Sequence, residues 1–346
     1  MNAPVLSLER LSIDYATPSG WARAVDDVSL DIGPGEIFGL CGESGSGKST
    51  LARGFLRLLG PPAVIRRGRA LLAGRDLLAM GEAELRGFRW RQVSMVFQSA
   101  LDALCPVLRV EDQLVDLLLA HRPQPLDEAR SRAVALLEAV GIPASRARAY
   151  PFELSGGMRQ RVIIAMALAL SPKLVVMDEP TTALDVVVQH EIWTQLLELR
   201  ARHGFAVLLI SHDLPMMTSV ADRIGVMYAG RLVELAPAAA LRARPRHPYT
   251  RGLLGAFPPI DGPKLAMRGI PGAPPSIEAR PTGCAFSPRC SEAVARCRRD
   301  PPTLERAPDG HVVACHARTW SADTPLTQLA SRAPDVGASR ETQEET

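Results

Sequence analysis

Apolar residues fall in short blocks along this chain, and the spacing within each block differs from one to the next. Leu6, Leu8, Leu11, Ile13 and Tyr15 alternate with one slip, which predicts two short strands with a kink between them. Val28, Leu30 and Ile32 alternate cleanly and are stopped by Gly33-Pro34-Gly35, a strand followed by a turn. Ile37 to Cys41 is a continuous apolar run of the length expected for a buried strand. A glycine-rich loop follows it, and then a helical pattern from Ser49 to Leu59.

Residues 107–149 read as mostly helical, broken at Pro123 and Pro125. Leu174 to Met177 and Ala206 to Ile210 are apolar runs of the kind found in central parallel strands. Ile224 to Tyr228 and Arg231 to Leu235 flank Ala229-Gly230 and predict a hairpin. After Pro237 proline becomes frequent, periodicity weakens and cysteines cluster, so a domain boundary is placed there. Residues 321–346 are polar, without a sustained apolar pattern, and are expected to be disordered. No internal repeat is evident, which predicts a single unit and not a tandem pair.

Composition narrows this picture. The 346 residues are 47% hydrophobic and 22% charged, with a net charge of +3, values typical of a globular protein and far from a nucleic-acid-binding footprint. No run approaches the roughly 20 apolar residues of a membrane-spanning helix; even Ile163 to Leu170 is soon interrupted by charge. The first residues, MNAPVLSLER, lack the basic and apolar regions of a secretory signal, so a cytoplasmic location is expected. Lys48, Lys173 and Lys264 are the only lysines, which makes the position of each informative.

Lys48 closes the segment Gly42-Glu43-Ser44-Gly45-Ser46-Gly47-Lys48-Ser49, with Thr50 next. The spacing is that of a P-loop, set between a predicted strand and a predicted helix. Glycines allow backbone N–H groups to turn inward around phosphates, and the helix that follows adds its positive dipole end. At that position Lys48 would supply a charge at the β- and γ-phosphates, and the Ser49 hydroxyl can coordinate Mg²⁺. A plain flexible loop would not require one of three lysines at this point.

A P-loop alone implies only a nucleoside triphosphatase. Leu154-Ser155-Gly156-Gly157-Met158-Arg159-Gln160-Arg161 narrows the class, because it is similar to the signature sequence of ABC ATPases. The chain resembles the ATP-binding subunits of ABC transporters over residues 5–255. Ser155, Gly156 and Gly157 open a helix and would form a second anion-binding N-terminus, facing the γ-phosphate held by a partner subunit. The resemblance further implies that Asp178 holds Mg²⁺ and that Glu179 polarises the attacking water. It makes His212 the switch residue that contacts the γ-phosphate, and Gln98 a sensor of Mg²⁺ and γ-phosphate. Asp185 falls in the D-loop at the dimer interface, and Tyr15 in the position that stacks on adenine. Ser99 to Pro106 departs from the acidic-Pro and Asn-Pro pattern of peptide-importer relatives, a difference that concerns docking to membrane subunits.

The tail narrows the branch. His247-Pro-Tyr-Thr-Arg-Gly-Leu-Leu254, Ile270-Pro-Gly-Ala-Pro-Pro275 and Gly283-Cys284-Ala-Phe-Ser-Pro-Arg-Cys290 resemble the oligopeptide/dipeptide/nickel importer ATPases. Cys284, Cys290, Cys297 and Cys315 are spaced C-x5-C-x6-C-x17-C, which suits four thiolates around a [4Fe–4S] cluster or Zn²⁺. The absence of short C-x2-4-C knuckles favours iron–sulfur, and several members of the family carry such a cluster there. His311 or His316 could replace one cysteine in the zinc alternative.

The expected fold is α/β, a P-loop NTPase with a RecA-like core, an antiparallel β-subdomain, a helical subdomain and a small Cys-rich C-terminal extension. The expected division is 1–237 for the ATPase domain, with its helical subdomain at 99–165, 238–320 for the importer-type C-terminal domain, and 321–346 for the tail. The expected function is ATP hydrolysis coupled to uptake of peptides or a related solute. The resemblance implies two membrane permease subunits, an extracytoplasmic solute-binding protein, and a homologous ATPase subunit, favoured over a second copy of this chain. It places the protein at the cytoplasmic face of the bacterial inner membrane. Import of nickel, opines or oligosaccharides, or a non-transport role for the ATPase, remains open at this point.

Overall fold

The computed structural model describes residues 3–98, 103–182, 184–256 and 269–317. Two sheets organise them. The larger has eight strands, and five of these run parallel at its centre. In spatial order they are β9 (Arg223–Tyr228), β3 (Ile37–Cys41), β8 (Ala206–Ser211), β7 (Leu174–Asp178) and β6 (Val93–Val96).

The apolar runs noted in the sequence are continuous because both faces of this sheet are covered. Val175, Met177, Val207 and Leu209 point into one core. Leu174, Val176, Ala206, Leu208 and Ile210 point into the other. The period-two alternation of a strand thus divides one apolar run between two cores.

The first core is closed by helices. It holds buried side chains from α3 (Val110–His121), α4 (Leu126–Ala139), α5 (Gly156–Leu168) and α6 (Val186–His203). The expected break at Pro123 and Pro125 falls between α3 and α4. The second core is closed by a four-stranded antiparallel sheet, ordered β2 (Gly20–Ile32), β1 (Leu6–Thr17), β4 (Ala63–Leu72), β5 (Arg75–Asp76). Helix α1 (Lys48–Phe55) lies in the same core through Leu51, Ala52 and Phe55.

Residues 6–17 form one strand, where two were expected. The kink exists, but as register shifts between Leu8 and Leu11 and between Leu11 and Ile13, with Arg10 at φ 50°. A bulge bends a strand without ending it, and the apolar slip in the sequence reports the extra residues. Helix α1 ends at Phe55, not Leu59; Arg57 has φ 53° and turns the chain out of the helix. The hairpin at Ala229-Gly230 is present, with both residues at positive φ, as a tight turn between twisted antiparallel strands requires.

Beyond β10 (Arg231–Pro237) the chain does not leave the main sheet. Helices α7 (Leu214–Val220), α8 (Ala238–Ala243) and α9 (Pro248–Gly255) cover it, and β12 (Val312–Val313) returns to pair with β10. The two-residue strand β11 (Glu305–Arg306) then forms the edge. Phe286 is buried against Tyr228 and Tyr249, at ring-centroid distances of 5.3 Å to each. Phe286→Ala should therefore lower stability by about 3 kcal/mol. A fall in the urea midpoint of that order would show it, and an unchanged midpoint would mean the segment is not part of the core. The tail expected to be disordered, 321–346, lies outside the described residues.

Candidate nucleotide site

Strands β3, β6, β7 and β8 deliver their C-terminal ends to one edge of the sheet, where ligands of open α/β folds bind. The loop between β3 and α1 carries Gly42 to Gly47. Gly42 has φ 153° and a Cβ there would stand 2.2 Å from the carbonyl oxygen of Met227. Gly47 has φ 99° and a Cβ would stand 2.6 Å from the carbonyl oxygen of Ala24. Both positions therefore demand glycine on two grounds, conformation and space. Gly45 is also at positive φ, and Ser44 is exposed beside it.

Lys48 lies folded over this loop. Its Nζ donates to the carbonyl oxygens of Gly42 at 2.7 Å and Glu43 at 2.9 Å, and to Ser46 Oγ at 3.1 Å. Burial pushes its ammonium below the ordinary lysine value, opposed by Cys41, Glu179, Asp178 and Glu43. Three acceptors around one ammonium offset that desolvation.

Ser49 and Asp178 come together from α1 and β7. Ser49 Oγ donates to Asp178 Oδ1 at 2.9 Å. Asp178 is fully buried, and its Oδ2 accepts no hydrogen bond; the Arg53 guanidinium stands 3.5 Å from it. Burial raises the Asp178 carboxyl above its ordinary value, while the Ser49 hydrogen bond opposes that rise. A buried carboxylate oxygen with spare acceptor capacity beside a hydroxyl fits Mg²⁺, which takes one or two protein oxygens and completes its shell with water and phosphate.

Glu179 is the meeting point of three further elements. Its Oε1 lies 3.0 Å from His212 Nδ1 at the end of β8. Its Oε2 accepts from Gln98 Nε2 at 3.3 Å and from Thr182 Oγ1 at 3.2 Å. Glu179 itself has φ 48°. A left-handed backbone at a non-glycine residue costs on the order of 1–3 kcal/mol and concentrates at functional sites.

The signature turn opens α5. Ser155 Oγ caps α5 by accepting from the Met158 N–H at 3.2 Å. Asp185 caps α6 in the same way, accepting from the Val188 N–H at 2.9 Å. The two caps are neighbours: Gly156 faces Leu184, and Gly157 faces Val188 so closely that a Cβ would stand 2.5 Å from it. Tyr15 is half-buried on β1, with its hydroxyl 3.4 Å from Thr50 Oγ1 on α1.

Comparison with known proteins identifies the family. The ABC transporter family profile matches residues 25–182, and the profile for the oligopeptide/dipeptide transporter C-terminal region matches residues 233–297. The chain is 44% identical to the oligopeptide transport ATP-binding protein OppD of Salmonella typhimurium, covering 90% of this chain and 93% of that protein. The chain belongs to the ABC transporter ATP-binding family. It is also 41% identical to the dipeptide transport ATP-binding protein DppD of Bacillus subtilis, across 90% of this chain and 94% of that one. Among solved structures, the dimeric post-hydrolysis state of the ATP-binding cassette MJ0796 bound to ADP and Pi superposes with TM-score 0.60 at 28% identity, covering 67% of this chain and 98% of that one. This ABC cassette is an ATPase with the mixed α/β P-loop fold of its family.

One expectation is overturned. Cys284, Cys290, Cys297 and Cys315 are free thiols, and the described residues contain no group of three or more His, Cys, Asp or Glu side chains that could hold a metal ion. Neither the [4Fe–4S] cluster nor the zinc alternative is supported. Burial raises the thiols of Cys284, Cys290 and Cys315, which favours the neutral form over the thiolate that a metal requires. The histidines offered as substitutes are engaged elsewhere: His316 Nε2 is 2.9 Å from the Asp300 carbonyl oxygen, and His311 Nδ1 is 3.4 Å from Glu234. The segment is held by other means, including the Cys284 N–H donating to the Cys297 carbonyl at 2.8 Å and the pairing of β12 with β10.

Sequence reasoning missed four residues of this site. Arg53 and Thr182 lie within a few residues of the recognised motifs and contact their carboxylates. Tyr249 and Arg289 come from the C-terminal segment, and both contact Glu43 in the phosphate loop. The tail motifs that contain them were visible; their contacts with Glu43, across 206 and 246 residues of sequence, were not.

Proposed function

We propose that this chain is the ATP-hydrolysing subunit of an ABC importer for oligopeptides or dipeptides. The observation that carries the catalytic part is the convergence of Gln98, Thr182 and His212 on Glu179, beside the Ser49–Asp178 pair. In this reading residues 42–50 hold the phosphates of ATP, with Lys48 turning from loop carbonyls to phosphate oxygens. Ser49 and Asp178 are the protein oxygens for Mg²⁺, which when bound neutralises charge on the phosphates. Glu179, its two oxygens oriented by His212 on one side and Gln98 and Thr182 on the other, polarises the attacking water. His212 and Gln98 then report the state of the γ-phosphate, and Tyr15 stacks on the adenine ring.

Ser155, Gly156 and Gly157 at the start of α5 serve a second nucleotide, held by a facing ATPase subunit. The capped N-terminus of α5 directs N–H groups outward there, and the Asp185 segment packs beside it. The facing subunit is taken to be a homologous chain. Residues 1–237 then form the ATPase domain and 238–320 the importer-type C-terminal region. The two relatives named for oligopeptide and dipeptide transport support the solute class. No helix among the described residues is long and apolar enough to cross a membrane, so passage of solute falls to permease subunits that this chain binds at the membrane's cytoplasmic face.

Reconstitution tests the assignment. With its permeases, partner ATPase and peptide-loaded binding protein in vesicles, the chain should hydrolyse ATP several-fold faster than with unloaded binding protein, and peptide should accumulate inside. Equal rates with and without peptide, and no uptake, would sink it.

A further inference from the structure

Among the described residues the C-terminal segment contacts this loop at Glu43, engaging its N–H and its carboxylate. The Glu43 N–H donates to the Tyr249 hydroxyl at 2.7 Å, and the Glu43 carbonyl accepts from Lys48 at 2.9 Å. Its carboxylate is gripped by both terminal nitrogens of Arg289, at 2.6 Å and 2.9 Å. Arg289 is buried, and its own position is fixed from behind. Its Nε donates to the Pro271 carbonyl at 2.8 Å, and its Nη1 lies 3.3 Å from the Tyr228 hydroxyl.

We propose that Arg289 is a positioning residue for the phosphate loop, through which the C-terminal segment sets the charge and shape of that loop and so the chain's affinity for ATP. The inference rests on residues 42–50 being the phosphate site.

The argument is electrostatic first. A loop built to hold a polyanion carries a carboxylate at its second residue, Glu43. Left alone, that charge opposes the incoming phosphates. A bidentate guanidinium–carboxylate pair cancels it, and the planar fork leaves the carboxylate a single orientation. The pairing is tight enough to hold the Arg289 guanidinium above the ordinary arginine value, chiefly through its hydrogen bonds to Glu43. The second part is geometric. With its N–H held by Tyr249, its carboxylate by Arg289 and its carbonyl also accepting from the Ser46 N–H at 3.2 Å, Glu43 cannot rotate to follow Lys48 when the lysine moves to phosphate. The loop is thus set before ATP arrives, and little ordering remains to be done on binding. Arg289 acts on the loop through Glu43.

The test uses the full-length chain and four variants: Arg289→Ala, Arg289→Lys, the double variant Arg289→Ala with Glu43→Gln, and Lys48→Ala. Affinity is read with a fluorescent ATP analogue, and KM and kcat by phosphate release. Arg289→Ala should raise Kd and KM on the order of ten-fold, with kcat at saturating ATP changed far less. Arg289→Lys should fall between it and the parent, because an ammonium restores charge without the fork. Adding Glu43→Gln to Arg289→Ala should recover most of the lost affinity, since the carboxylate that needed neutralising is gone. A loosened tail would not be repaired by that second change. A double variant as weak as Arg289→Ala, or an Arg289→Ala with parental Kd while Lys48→Ala has lost binding, overturns the proposal and leaves the phosphate loop standing. Parental binding by Lys48→Ala would remove the phosphate-loop assignment and this inference with it.

Discussion

Glu179→Gln is expected to leave ATP affinity close to that of the parent and to lower turnover by at least about 100-fold. The amide retains the size of the side chain and can still accept from Gln98 or Thr182, so the site's geometry should survive. What it loses is the negative charge that draws a proton from water. His212 and the strained backbone at φ 48° serve to aim that charge, and both remain without it. Asp178 does not substitute, because Ser49 and Arg53 occupy its surroundings. The assembled ATPase should therefore accumulate with ATP trapped. Single-turnover phosphate release measures this directly, and a rate within a few-fold of the parent would show that Glu179 is not the base.

Gly156→Asp should be almost as damaging to the assembled transporter and nearly silent in ATP binding by the isolated chain. Among the described residues a Cβ at Gly156 meets only Leu184 Cδ2, at 3.3 Å, so a side chain fits after a small shift. At Gly157 the same addition would collide with Val188 at 2.5 Å, and a variant there would report packing instead. The new carboxylate stands at the opening of α5, where, on the proposed facing arrangement, the helix dipole favours an anion from a partner subunit. At about 4 Å and the effective dielectric of a protein surface, two like charges repel by roughly 4 kcal/mol. Hydrolysis in the complex should fall by roughly a hundred- to a thousand-fold. Loss of ATP binding by the isolated variant, with hydrolysis preserved in the complex, would contradict the facing arrangement.

The order of motifs along the chain carried most of the site. Strands β7 and β8 are legible because both faces are buried and their apolar runs end in Asp178-Glu179 and Ser211-His212. Gly42 and Gly47 are legible because the phosphate loop admits nothing larger. The pairing of Arg289 with Glu43 was hidden, since neither residue departs from its neighbours in type or pattern and only the closed fold brings them together. The strands β11 and β12 were hidden for another reason: two residues are too few to show a period. The cysteines misled because spacing along the chain does not by itself define a ligand set, and none was found among the described residues. The same segment needs no metal to be held when Phe286, Arg289 and β12 attach it to the cassette.

The place of β12 also bears on how the molecule avoids self-association. Without it, β10 would end the large sheet with a row of open N–H and carbonyl groups and the apolar residues Leu232, Val233 and Leu235. Such a rim is a template for pairing with another chain. Covering it moves the boundary to β11, which is two residues long, fully exposed and made of Glu305 and Arg306. A short charged border resists the addition of a further strand. Because β11 and β12 follow β10 in the chain, the rim is made before the residues that cover it. A nascent cassette therefore carries an adhesive rim from the synthesis of β10 until β12 docks.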